Sequence, residues 1–151
     1  MVRSAPHQSE PTLTVRWTRL RTGTPPPSYA HPGDAGLDLC AAESRILEPG
    51  QRHLFSTGVA LEIPAGYVGL VWDRSSLGVC GLTTFGGVID SSYRGEIKVL
   101  LQNASDTAYH VNDGERIAQL LIQRVETVAV VEVDALSASD RGEGGFGSTG
   151  R

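Results

Sequence analysis

The residue types that most directly suggest chemistry stand in the run Gly86-Gly87-Val88-Ile89-Asp90-Ser91-Ser92-Tyr93-Arg94-Gly95-Glu96. Asp90 and Tyr93 flank a serine-rich turn, the pattern of a hairpin tip. Glycines on both sides let such a turn approach a ligand closely. A plain β-hairpin with Asp90 favouring the turn would explain the polar tip, but not the apolar run that leads straight into an acid. A second run, Asp73-Arg74-Ser75-Ser76-Leu77-Gly78, follows a hydrophobic segment. At the start of a helical turn its backbone N–H groups, guanidinium and hydroxyls could converge on one phosphate; a simple serine N-cap is the bland alternative. In Ala35-Gly36-Leu37-Asp38-Leu39 an acid sits between two leucines, as it also would in an alternating strand with Asp38 facing water. In Gly114-Glu115-Arg116-Ile117-Ala118-Gln119-Leu120, period-two alternation places Arg116, Ala118 and Leu120 on one face, with Ile117 and Gln119 on the other. Gln119 is then either a satisfied half-buried amide or a donor to a phosphate oxygen.

The end of the chain adds a fifth segment. Residues 142–149 read G-x-x-x-x-G-S-T, without the lysine of a P-loop and with no helix behind them, which excludes a P-loop ATPase or GTPase. Glycine N–H groups, Ser148, Thr149 and the fixed charge of Arg141 still suit phosphate. Phe146 is the one aromatic of this tail and has no core to join, so stacking on a base explains it better.

These segments must be positioned by strands. Short runs rich in β-branched residues recur between Gly, Pro, Asn and Asp, which predicts strands over 12–20, 54–63 (broken at Gly58), 67–72, 96–103, 116–123 and 127–133. Pro64-Ala65-Gly66, Asn112-Asp113-Gly114 and Glu48-Pro49-Gly50 are turn signals. The pattern predicts an all-β sandwich or barrel with one short helix over 75–79. Residues 1–11 form a polar tail, 12–136 the β domain, and 137–151 a glycine-rich arm expected to be mobile without ligand. Thr24-Pro25-Pro26-Pro27 reads as a stiff connection.

The bulk properties set limits. A chain of 151 residues fits one domain, and a formal net charge of −4 argues against a general nucleic-acid or membrane binder. An anionic substrate would therefore need local cations or a metal. Cys40 and Cys80 read as buried small hydrophobes, and His7, His31, His53 and His110 are too scattered for a metal site. The start of the chain is polar, so no signal peptide is expected, and no run reaches the roughly 20 apolar residues of a membrane span. The expected address is the cytoplasm.

In this order and with this spacing, the five segments resemble the five motifs of the trimeric dUTPase family, from about Pro25 to Arg151. The resemblance implies a jelly-roll-like β-barrel and a homotrimer with three shared active sites. It also implies hydrolysis of dUTP to dUMP and pyrophosphate, which keeps uracil out of DNA and supplies dUMP for dTMP synthesis. Arg74, Ser75, Ser76 and Gln119 would come from one subunit, the 90–93 turn from another, and the 141–149 arm from a third. Asp90 would activate the water that attacks the α-phosphorus in line, and Tyr93 would exclude a 2′-hydroxyl. Backbone groups of the 84–88 stretch, with Thr84, Gly87, Val88 and Ile89, would read uracil, Phe146 would stack on it, and Lys98 would lie nearby. Arg74, Ser75, Ser76, Gln119, Arg141, Gly147, Ser148 and Thr149 would cradle the phosphates. Mg2+ would ride on the triphosphate, with Asp38 holding its waters. The sequence departs from the pattern in two places. Thr84 stands where many members have asparagine, and Asp73 stands where proline usually precedes the second motif, so that it could pair with Arg74 or cap the turn.

Two other functions fit the same pattern in part. A dCTP deaminase on this fold would place its catalytic glutamate near Leu100, and leucine cannot shuttle a proton. A catalytically silent dUTP-binding regulatory module would be expected to lose Asp90 or the arm, and this chain keeps both.

Overall fold

Period-two alternation builds the body of the molecule. The computed structural model describes residues 13–140 and Gly142. In β8 (Glu96–Asn103), Ile97, Val99, Leu101 and Asn103 are buried, while Lys98 between them is exposed. A strand whose alternate side chains are apolar gains most by laying that face on a second apolar sheet. The partners of β8 are β4 (Arg52–Glu62) on one side and β6 (Leu82–Thr84) on the other. With β1 (Arg16–Arg19) they form a four-stranded sheet in the order β1-β4-β8-β6.

The opposing sheet has the order β2-β10-β5-β7, from β2 (Leu37–Cys40), β5 (Tyr67–Trp72), β7 (Val88–Ile89) and β10 (Arg116–Arg124). A two-stranded ribbon of β3 (Arg45–Leu47) and β9 (Tyr109–Val111) closes one end. Phe55, Leu61, Ile97 and Val99 from the first sheet meet Leu39, Val71, Ile117 and Leu120 from the second, and Leu47 and Val111 from the ribbon complete the core. The single helix among the described residues, α1 (Ser75–Val79), spans the residues predicted for it. An all-β, jelly-roll-like body is thus what the turn-punctuated sequence builds.

Several details differ from the sequence expectation. The strand predicted to break at Gly58 runs unbroken from Arg52 to Glu62, because a register shift between Ser56 and Ala60 absorbs the irregularity. Gly58 has φ 68°, and a Cβ there would overlap the Thr24 hydroxyl, so glycine is needed at this bulge. The 127–133 segment is not a strand within one chain, and Val128, Val130 and Val131 are exposed. Just before it, Val125 N–H donates to Gly66 O. A β-propensity run with no strand beside it has nothing to close a ladder with. The segment around Asp90 is not a hairpin, since β7 pairs with β5 while β8 pairs with β4 and β6. It crosses from one sheet to the other. Neither cysteine is buried as expected: Cys40 is half-buried and Cys80 exposed, and both are free.

Asn103 locks the end of β8. Its Nδ2 donates to Leu47 O (2.9 Å) and Thr107 O (2.7 Å), and its Oδ1 accepts from Ser105 N (3.0 Å) and Ser105 Oγ (2.7 Å). Asn103→Ala is expected to cost about 1–3 kcal/mol for the polar groups it leaves without partners. The chemical-denaturation midpoint checks this, and an unchanged midpoint would show that water replaces the amide.

Candidate active site

Two cavities collect the residues singled out from the sequence. The first, about 410 Å³, lies where the 84–90 crossover passes over β5 and β8. Its walls are Thr84, Phe85, Gly86, Gly87, Val88 and Ile89, with Leu54, Val71 and Leu100, while Asp90, Tyr93, Glu96 and Lys98 complete its lining. Gly87 has φ 114°, and a Cβ there would come within 2.6 Å of Val71 Cβ. Only glycine lets the crossover lie this close to β5. The turn after β7 is closed by Tyr93 N–H donating to Asp90 O (3.0 Å). The Tyr93 hydroxyl donates to Glu96 O (3.0 Å), and Gly95 leaves room for its ring. The ring is therefore held at the cavity edge.

The second cavity, about 320 Å³, is polar and holds two guanidiniums. It is lined by Arg74, Ser75, Ser76, Arg116 and Gln119, with Asp38 and the 30–36 loop that carries His31 and Asp34. Asp38 lies between two guanidiniums, its Oδ1 at 3.4 Å from Arg74 Nε and its Oδ2 at 3.2 Å from Arg116 Nη1. Its carboxylate is only 13% exposed, so it is not the water-facing strand residue of the bland reading. Arg74 occupies the N-cap of α1 with extended backbone and no side-chain cap hydrogen bond, which sets aside the simple serine cap. Gln119 donates through Nε2 to Asp73 O (2.8 Å), and Gly36 makes room for it, because a Cβ there would sit 2.5 Å from Gln119 Oε1.

The sequence reading missed Arg116 as a partner of this cavity. Strict alternation had set it apart from Gln119, but β10 pairs with β2 through a register shift between Arg116 and Ala118. The shift resets the alternation, so Arg116 and Gln119 line one cavity while Ile117 and Ala118 are both buried. The available signal was a charged residue just after a glycine turn at the head of an apolar strand.

Asp73 neither pairs with Arg74 nor caps the helical turn. Its carboxylate reaches across to β6, where Oδ1 accepts from Thr84 N and Thr84 Oγ1 (both 2.6 Å) and Oδ2 from Thr83 Oγ1 (2.9 Å). Burial pushes this carboxyl up, but the three threonine hydrogen bonds outweigh it and hold the group below the usual carboxylate range. Asp73 is therefore ionised at neutral pH.

The two cavities share no lining residue. One chain thus holds Asp90 and Tyr93 in one place and Arg74, Ser75, Ser76 and Gln119 in another. Among the described residues no group of three His, Cys, Asp or Glu could hold a metal ion. Arg141, Phe146, Gly147, Ser148 and Thr149 lie outside the described residues.

Known proteins resemble this chain along most of its length. The family model described as dUTPase matches residues 23–150. The deoxyuridine 5'-triphosphate nucleotidohydrolase of Thermobifida fusca is 52% identical over 143 residues, covering 92% of this chain and 80% of that protein. That of Mycobacterium marinum is 53% identical over 141 residues, covering 87% and 92%. Among solved structures, a mutant dUTPase of Staphylococcus bacteriophage 80alpha with dUpNHpp superposes with TM-score 0.86 at 32% identity, covering 93% of this chain and 100% of that one. A dUTPase from phage phi11 of S. aureus, which coordinates a structural Mg(II) ion, gives TM-score 0.75 at 29% identity, over 81% of this chain and 97% of that one. With its five motifs in order, its jelly-roll-like body and relatives at half identity, this chain belongs to the dUTPase family.

Proposed function

We propose that this chain hydrolyses dUTP to dUMP and pyrophosphate at a site assembled from both kinds of cavity, contributed by different copies of the chain. The observation that carries this reading is the division between them. One cavity is mostly apolar and ends on Asp90 and Tyr93, and the other gathers Arg74, Arg116, Ser75, Ser76 and Gln119. A nucleoside triphosphate has the same two halves. The base and deoxyribose suit the apolar cavity between Thr84, Gly87, Val88 and Ile89, with Lys98 at its rim. The phosphates suit the one with the two arginines.

Asp90 is the general base. Placed at the turn, its carboxylate takes a proton from the water that attacks the α-phosphorus in line. Tyr93, fixed by its bond to Glu96 O, packs against the deoxyribose where a 2′-hydroxyl would collide. Arg74, Ser75, Ser76 and Gln119, with Arg116 added, hold the phosphates and stabilise charge on the leaving pyrophosphate. Such positioning accounts for ~7–11 kcal/mol of barrier lowering in well-oriented systems. The arm, through Arg141, Phe146, Gly147, Ser148 and Thr149, closes over the nucleotide, with the phenylalanine on the base. Asp38 would hold the waters of an Mg2+ bound to the triphosphate, which would there supply charge neutralisation. The donor set fits that role: Asp38, anchored between Arg74 and Arg116, is a carboxylate of the polar cavity suited to holding the ion's waters.

A homotrimer supplies the missing halves. The exposed run with Val128, Val130 (93% exposed) and Val131 is a surface suited to a neighbouring copy. The deaminase reading is disfavoured because Leu100 lies in the wall of the apolar cavity and brings no proton there.

Asp90→Asn is expected to lower kcat on dUTP by about a hundred- to ten-thousand-fold with little change in binding. Pyrophosphate release measured with magnesium present tests it, and undiminished release would remove Asp90 from the mechanism. Ammonia from dCTP would instead place the chain with the deaminases. Shared sites make a separate prediction. Mixing inactive Arg74→Ala and Asp90→Asn chains by co-refolding should restore about one quarter of wild-type activity, because mixed assemblies then contain intact sites. No recovery would put both residues in one chain's site. A chain ending at Asp140 should keep its circular dichroism spectrum and assembly but lose most turnover, and retained turnover would show that the arm is dispensable.

A further inference from the structure

The reading above leaves Asp73 unused, yet its carboxylate is the best-partnered polar group near the apolar cavity. It lies between β5 and α1 and gathers three hydrogen bonds from Thr83 and Thr84 at the end of β6. Thr84 lines the apolar cavity and Asp73 does not. Whatever Asp73 does to a ligand there, it does through Thr84.

A hydroxyl has one hydrogen to give and two lone pairs to offer, whereas an ionised carboxylate can only accept. The Thr84 hydroxyl hydrogen is directed to Asp73 Oδ1 at 2.6 Å. The Thr84 backbone N–H is directed to the same oxygen, and the Phe85 N–H to Leu100 O at 2.9 Å. None of these three donors is left for the cavity. What the Thr84 side chain can still present is an acceptor. The depressed titration of Asp73 keeps this polarity in place at neutral pH.

The pyrimidines differ in the group that meets such an acceptor. Uracil carries a hydrogen on ring nitrogen N3, and cytosine carries a lone pair there. We propose that Asp73 is a positioning residue for base selection, fixing the Thr84 hydroxyl as an acceptor for the uracil imide N–H and turning it against cytosine. A threonine free of Asp73 could rotate its hydrogen toward cytosine N3 and lose this preference. The inference rests on the reading that the apolar cavity holds the base.

The test is steady-state kinetics on dUTP and dCTP for the full-length wild type, Asp73→Ala, Asp73→Asn, Thr84→Val and the Asp73→Ala/Thr84→Val double variant. The expected result for Asp73→Ala is a fall in the dUTP-to-dCTP ratio of kcat/KM on the order of tenfold, the scale of one misdirected hydrogen bond. It should come mainly through KM. Asp73→Asn, whose side-chain oxygen can still accept from Thr84, should restore most of the ratio. Thr84→Val should raise KM for dUTP by a similar factor, and adding Asp73→Ala to it should change the ratio no further, because the group Asp73 acts through is gone.

A purely structural role for Asp73 would lower the melting temperature and leave the ratio within about twofold of wild type, and that result overturns the proposal. Should Asp73→Ala fail to fold, Thr84→Val decides alone: an unchanged KM and ratio overturn it as well. Failure of the underlying reading looks different. A wild type that turns over dCTP as well as dUTP would sink both the base-site reading and the proposal, whereas a discriminating wild type with indifferent variants sinks only the proposal.

Discussion

Alternation along the strands is the constraint on which the rest of this structure depends. A sandwich core favours apolar side chains on its inward faces, and its central strands give up about every second position to packing. Ile97, Val99 and Leu101 of β8 meet that demand, and Asn103 at its end is buried with its amide fully hydrogen-bonded. Several of the polar groups near the cavities stand where the alternation stops or is reset. Asp73 stands just past the end of β5, Asp90 just past β7, and Arg116 at the register shift of β10. Each of these places costs little packing and aims a side chain out of the core.

Glycine makes the interruptions possible. Gly87 brings the crossover against Val71, and Gly36 lets Gln119 sit beside the second motif. At both positions a single added carbon would overlap a neighbour that the site uses. Other glycines, such as Gly86 with open space around it, answer only to the backbone angle. The two roles differ in what a substitution would do. At Gly87 the crossover itself must move, while at Gly86 the strain stays in the turn.

The sequence made much of this legible, and the gaps have physical causes. Turn residues and β-branched runs located β5, β8 and α1 to the residue, because those elements are set by local pattern. Residues of four of the five motifs line the two cavities, and the fifth motif lies outside the described residues apart from Gly142. What escaped was pairing. Nothing local says that β7 and β8 belong to different sheets, so the 90–93 turn read as a hairpin tip. Nothing local announces a register shift, so Arg116 was set on the wrong face. Asp73 looked like a partner for its neighbour Arg74, but its hydrogen bonds lie ten and eleven residues away. The 127–133 run carries genuine strand propensity but finds no ladder within one chain.

On the proposed reading, the charge balance of the polar cavity gives a reason why neither cavity would suffice alone. Two guanidiniums near one another repel, and in a partly buried setting the Coulomb term between unit charges is about 4 kcal/mol at 4 Å. Asp38, largely buried between Arg74 and Arg116, removes that repulsion and holds both side chains in place before any ligand arrives. The same carboxylate cancels one of the two positive charges, and Asp34 on the adjoining loop sets a second acid in the lining. A cavity so nearly neutral would, on that reading, orient a triphosphate without neutralising it. With a net charge of −4 on the whole chain, long-range attraction does not make up the difference. The remaining positive charge has to arrive with the substrate or from another part of the assembly. A divalent ion on the phosphates and the arginine of the arm are the two sources this chain's chemistry points to. Preorganisation by Asp38 and charge from elsewhere are then complementary parts of one design, in which binding completes a site that the single chain leaves short of charge.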